Sequence, residues 1–189
     1  MKSLIRKNTY KAIYRLLDKV SPLDVDCGKL CGAICCTTEG DETNLDYSDF
    51  ELGIYLLPGE DKIFTKKEHW LNWNYEMAED YEFPDSWSGK VYFIRCKTPP
   101  YCDRNMRPLQ CRIYPLAPHI TCDNNLILIL STANIPYICP LIEKKMELNK
   151  DFIKATYTVC KRLIKDPLIF DLIKMDSTKR INFQSVYPK

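Results

Sequence analysis

Apolar residues near the start of the chain fall at helical intervals: Leu4, Ile5, Ile13, Leu16, Leu17 and Val20 recur with basic residues between them. A stripe of that period buries one helix face, and the residue before a proline avoids the α region, so an amphipathic helix is predicted over 1–21, closed by Pro22. The period is lost across 24–38, where Gly28, Gly32 and a group of cysteines predict an irregular ligand loop. Residues 51–57 (ELGIYLL), stopped by Pro58 and Gly59, predict a buried strand and turn, and 65–79, carrying Trp70 and Trp73, a helix. A second strand is expected at 91–96 (VYFIRC) and a central one at 126–130 (LILIL), after the turn residues Asp123, Asn124 and Asn125. From 142 to 165 the pattern is helical again, with Ile153, Tyr157, Cys160 and Ile164 on one stripe. Pro167 breaks it, a short helix follows at 168–174, and the polar tail 175–189 is expected to fray or wrap on the surface.

Three strands among helices predict an α+β fold: a small antiparallel sheet with surrounding helices and cysteine-rich loops clamped by metal at one side. The 189 residues suffice for a single domain, with a cysteine-cluster region at about 24–141 flanked by the helix 1–21 and helices within 142–175. A formal charge of +2 gives no bulk field for nucleic acid or an anionic membrane. The candidate aromatic-basic patch of Lys66, Lys67, Trp70, Trp73 and Tyr75 reads as an ordinary amphipathic face, since the acidic stretch 76–85 beside it repels phosphate. Residues 1–21 contain neither the apolar core of a signal peptide nor a spanning segment, so a cytoplasmic location is expected. Thiols stay reduced there, and clustered cysteines then point to metal or redox chemistry before disulfides.

Ten cysteines against two histidines exceed any packing need. Cys27, Cys31, Cys35 and Cys36 form a C-x3-C-x3-C-C run; Cys96, Cys102 and Cys111 form a second group, and Cys139 stands before Pro140. Thiolates are soft ligands suited to zinc or iron-sulfur clusters, and eight of them match two four-coordinate sites or one cluster with a separate zinc. A continuous helix would also align Cys27, Cys31 and Cys35 as plain core, but two glycines weaken it by about 1 kcal/mol each. Adjacent side chains diverge, so Cys35 and Cys36 are expected to serve two neighbouring sites. Arg107 and Arg112 are placed either to offset thiolate charge or to form surface salt bridges. Cys160 reads as core; Cys122 and His119 are left outside the ligand set.

The order of these elements, with Arg107-Pro108, Cys111-Arg112, Tyr114-Pro115-Leu116 and Cys139-Pro140, resembles the YkgJ-type cysteine-cluster family, described as zinc- or iron-chelating. The resemblance spans roughly 27–141 and implies a metal-binding role for Cys27, Cys31, Cys35, Cys36, Cys96, Cys102, Cys111 and Cys139. It implies orientation of the ligand loop for Arg107, Pro108 and Arg112. The family's commoner opening has two residues between successive cysteines where this chain has three, and it brings no established reaction. The expected function is therefore a cytoplasmic protein holding zinc through thiolates, with metal ions as its partners, an unidentified protein partner left open and no catalytic residue identified. The alternative is an iron-sulfur protein with a redox or methyltransferase-like role.

Overall fold

The computed structural model describes residues 2–36, 53–97, 107–133, 135, 137–180 and 182–188, Cys36 in its backbone only. Cys102, the Cys36 side chain and the first part of the strand expected at 51–57 lie outside the described residues. In chain order the elements are α1 (Lys7–Leu17), α2 (Gly28–Cys31), β1 (Ile54–Tyr55), β2 (Leu71–Met77), β3 (Lys90–Cys96), α3 (Leu109–Ile113), β4 (Leu116–Ile120), β5 (Leu126–Leu130), α4 (Pro140–Glu143), α5 (Lys150–Leu163), α6 (Pro167–Thr178) and β6 (Ser185–Tyr187). The strands make two antiparallel three-stranded sheets, ordered β1-β3-β2 and β4-β5-β6. The α+β class is as expected, with two small sheets in place of one. No helix among the described residues is long and apolar enough to cross a membrane.

Helix α1 forms where the apolar stripe predicts, but its buried face differs. Tyr10, Ile13, Tyr14 and Leu17 are buried at i, i+3, i+4 and i+7, whereas Leu4 is 68% and Leu16 36% exposed. The two tyrosines bury their rings because their hydroxyls find acceptors: Tyr10 donates to the Pro58 carbonyl at 3.0 Å and Tyr14 to Glu60.

The helix expected over 65–79 is instead β2. Its sequence LNWNYEM alternates, asparagine and aromatic residues are weak helix formers, and seven consecutive positions pair with β3 from Leu71 opposite Cys96 to Met77 opposite Lys90. Trp73 meets Phe64 and Tyr92 edge-on, with centroids 5.6 and 6.0 Å apart. Trp87, in the connection to β3, donates its indole N–H to the Leu168 carbonyl at 2.9 Å and so ties this sheet to α6.

In the second sheet β5 is central, as its apolar run predicts, with Leu128 and Ile129 fully buried. Strand β4 contains Pro118 and takes an edge, where a missing N–H costs no ladder bond. The tail does not end loose: α6 runs on to Thr178, and Ser185–Tyr187 adds the third strand. On α5 the buried face is Phe152, Ala155, Thr156, Val159, Cys160 and Leu163, so the period is as expected but the stripe is rotated. Ile153, Tyr157 and Ile164 lie at its half-buried margin.

Two buried carboxylates fasten these pieces. Asp166 caps α6 through the Leu168 N–H at 3.0 Å and holds the N-terminal segment through the Ser3 hydroxyl at 2.6 Å and the Leu4 N–H at 2.5 Å. Glu60 is fully buried; it accepts from the Tyr14 hydroxyl at 2.6 Å, the Leu109 N–H at 2.8 Å and the Leu57 N–H at 3.0 Å. Burial pushes the Glu60 pKa up, while Tyr14, the two amides and nearby Arg112 pull against it.

Because the folded chain binds this proton more tightly than the unfolded one, Glu60 adds stability below the ordinary carboxylate range and loses it as pH rises through the folded value. Glu60→Gln should therefore compare better with the parent protein near pH 7 than near pH 4 in urea unfolding. Tyr14→Phe should cost about 1–3 kcal/mol by stripping a donor from a buried carboxylate. A pH-independent difference for Glu60→Gln would contradict this account.

Candidate metal centre

The first cysteine run folds as two short helical turns separated by a left-handed step. Cys27 caps α2; Gly32 and Ala33 follow at φ +61° and +57°, and Ile34–Cys36 forms a 3-10 turn. A Cβ on Gly32 would meet nothing within 4 Å, so its requirement is conformational, not steric. The Ala33 N–H returns to the Gly28 carbonyl at 2.8 Å, closing the turn. The run is thus neither wholly irregular nor one continuous helix. The left-handed pair takes Cys35 off the helical face shared by Cys27 and Cys31.

Cys139 arrives from the other side. It caps α4, with Pro140 in the first turn, and its carbonyl accepts from the Ile142 and Glu143 amides at 3.0 Å each. Cys27, Cys31, Cys35 and Cys139 together line one cavity of about 30 Å³, enough for an ion or a water molecule, walled by Leu30, Ile34 and Leu141 and floored by Tyr114. Cys27, Cys31 and Cys139 are half-buried and Cys35 is exposed; none of the described cysteines is in a disulfide. The Cys31 thiol donates to the Cys27 carbonyl at 3.9 Å.

A second, larger cavity of about 350 Å³ adjoins the first and shares Cys35 and Tyr114 with it; Cys111, Arg107 and Tyr137 also line it. Cys111 is set by α3, whose first amide, on Leu109, is held by Glu60. Arg112 on the same helix lies 4.1 Å from the Tyr14 ring centroid, donates Nε to the Arg107 carbonyl at 2.6 Å and pairs with Asp18. For Arg112 the salt-bridge role is therefore seen, although its side chain is buried. Cys96 ends β3 opposite Leu71, packs with the cluster around Trp70, and lines neither cavity. Among the described residues, no three Cys, His, Asp or Glu side chains sit close enough together to hold an ion as they stand.

Two tyrosines missing from the sequence-based site line these cavities. The Tyr114 hydroxyl is buried without a well-formed hydrogen bond among the described residues, with Tyr137 and Cys139 as its polar neighbours. The Tyr114 and Tyr137 rings meet edge-on at 6.3 Å. Both phenols are pushed above their ordinary pKa, mainly by burial; Tyr137 and Cys139 add to the effect on Tyr114, and Cys35, Cys111 and Cys139 to that on Tyr137. The Y-P-L element after Cys111-Arg112 was the one signal available in the sequence.

The donor set is chemically uniform. Four thiols without a carboxylate, in apolar surroundings, suit a soft ion, and a buried phenol beside Cys139 is placed to donate to its thiolate. Outside the cavities, Cys160 is buried in the core as expected, and Cys122 is exposed. His119 is buried on β4 against Phe183 at 4.1 Å, its pKa lowered by burial and then by Arg180. No family model matches this chain, and no curated protein or solved structure matches it.

Native protein treated with a limiting maleimide and mapped by mass spectrometry should label Cys122, exposed and outside the candidate site, early. Cys160, buried and with its thiol pushed up to about 12, should react only on unfolding. Labelling of Cys160 at the rate of Cys122 would contradict the placement.

Proposed function

We propose that this chain is a cytoplasmic zinc-binding protein that holds its metal through cysteine thiolates at two neighbouring sites. The observation that carries the reading is the single cavity lined by Cys27, Cys31, Cys35 and Cys139, which brings two distant stretches of sequence together with thiol donors alone. The resemblance of the cysteine pattern to the zinc- or iron-chelating family supports it. The first site is built on Cys27, Cys31 and Cys139, with Cys35 at the junction of the two cavities. The second draws on Cys111 together with Cys36 and Cys102, and on Cys96, which must move from the Trp70 cluster to reach it. Since no three described donors converge as they stand, metal uptake draws the thiols inward. A closed thiolate zinc site supplies folding free energy and leaves no coordination position for a substrate, so no catalysis is assigned.

Protein purified without oxygen should be colourless and contain about two zinc ions per chain by elemental analysis. Iron with visible absorption would replace zinc by the iron-sulfur alternative, with its redox or methyltransferase-like role. Absence of both metals, with native circular dichroism retained in strong chelator, would overturn the reading. Cys139→Ser should lose zinc from one site. Cys36→Ser should also lower the metal content, and an undiminished content would remove Cys36 from the ligand set.

Tyr114→Phe preserves the ring and deletes only the hydroxyl beside Cys139. Zinc affinity should weaken by about 10–100-fold in a competition titration, with unchanged circular dichroism. An affinity equal to that of the parent protein would show that the phenol does not serve the thiolates.

A further inference from the structure

We propose that a groove remote from the cysteines, between β6 and the start of α5, binds a free amphiphilic anion: an apolar chain or ring ending in one carboxylate. The proposal stands independently of the metal reading. The groove has a volume of about 480 Å³, within the range of small-molecule sites. Leu130, Met146, Leu148, Ile153 and Val186 give it an apolar floor. Lys145, Lys150 and Lys154 line it as well, against one acidic residue, Glu147.

The three lysines define the head group. Lys150 and Lys154 stand at i and i+4 on α5, where like charges repel by about 0.2–0.5 kcal/mol, and none of the three is in an ion pair among the described residues. Lys145 has φ +48°, a left-handed conformation disfavoured for a residue with a Cβ. Its N–H bonds the Ile142 carbonyl at 3.1 Å, and the following Met146 N–H bonds the Leu141 carbonyl at 3.1 Å, so the end of α4 holds this turn at the groove. Three exposed lysines, unpaired among the described residues, offer charge complementary to an anion, while the floor accepts its hydrocarbon part. An uncharged apolar ligand would leave the lysines unanswered, and a simple inorganic anion would leave the floor exposed to water.

The test titrates the full-length protein calorimetrically with monomeric dodecanoate and, separately, with dodecyltrimethylammonium, which carries the same chain and the opposite charge. Dodecanoate should bind once per chain, and the cationic amphiphile at least about tenfold more weakly, a difference of about 1.4 kcal/mol. The double variant Lys150→Gln/Lys154→Gln should weaken dodecanoate by about tenfold with unchanged circular dichroism. Should that variant fail to fold, the parent protein still decides: raising salt from about 0.01 to 1 M, which shortens screening from about 30 to 3 Å, should weaken dodecanoate markedly. No binding at about 1 mM dodecanoate, equal binding of the two amphiphiles, or salt-independent binding would overturn the proposal. Sedimentation with phosphatidylserine vesicles in the absence of monomer binding would overturn it in favour of a membrane surface. Capture of an acidic peptide alone would overturn it in favour of a protein partner.

Discussion

The Glu60 carboxylate is out of water and held by three donors from three stretches of chain: the Tyr14 hydroxyl of α1, the Leu57 amide after β1, and the Leu109 amide that starts α3. Taking a carboxylate from water costs several kcal/mol unless its oxygens are satisfied, so the three donors and Glu60 must be assembled together or not at all. That constraint fixes where α3 begins, and hence where Cys111 and Arg112 stand. It also explains why α1 buries Tyr14 where an aliphatic residue was available nearby. Leu16 could fill space, but it could not offer a hydroxyl to Glu60. Arg112 completes the arrangement by lying across the Tyr14 ring and reaching Asp18 at the end of the same helix.

The parts of the fold legible in the sequence are those in which local pattern and burial agree. Strand β5 is wholly apolar and central, and β3 carries the apolar run VYFI and sits between two neighbours, so each announces itself. Strand β2 is an edge strand with asparagines on one side and aromatics on the other, and the alternation is easily taken for a sparse helical stripe. Its real signal is the pairing with β3, which is not local. Strands β4 and β6 are invisible for the same reason: β4 carries a proline, and β6 is three residues in a polar tail. On α5 the aromatic and thiol positions suggested the stripe, yet the buried face runs through Phe152, Ala155, Thr156, Val159, Cys160 and Leu163, so that small residues share it with large ones.

The candidate site shows the same division. Spacing grouped Cys27, Cys31 and Cys35, while the ligand count and the resemblance added Cys36, Cys96, Cys102, Cys111 and Cys139; of the described ones, Cys27, Cys31, Cys35 and Cys139 line one cavity, Cys111 lines the next and Cys96 neither. The left-handed pair Gly32–Ala33, which takes Cys35 out to the junction of two cavities, was half legible, since glycine marks such positions and alanine does not. Tyr114 was not legible as a site residue, because a tyrosine in a motif says nothing of whether its hydroxyl is satisfied. Only the fold shows that phenol buried beside a thiol. Glu60 carries no sequence signal at all: a lone glutamate in a turn reads as solvated, and its role depends on Tyr14 and Leu109, distant in the chain.

Helix α4 ties the thiol cavity to the lysine-rimmed groove. It is a single turn of about 6 Å, with Cys139 capping one end and the strained Lys145 just past the other. Leu141 lies on the wall of the cysteine cavity, and its carbonyl receives the amide of Met146, which lies on the floor of the groove. One turn of helix and one hydrogen bond are all that separate the proposed cation site from the proposed anion site. Whatever coupling free energy results is reciprocal, since linkage requires each site to change the affinity of the other by the same factor. The two proposed sites are therefore best tested on the same protein, with the occupancy of one held fixed while the other is titrated.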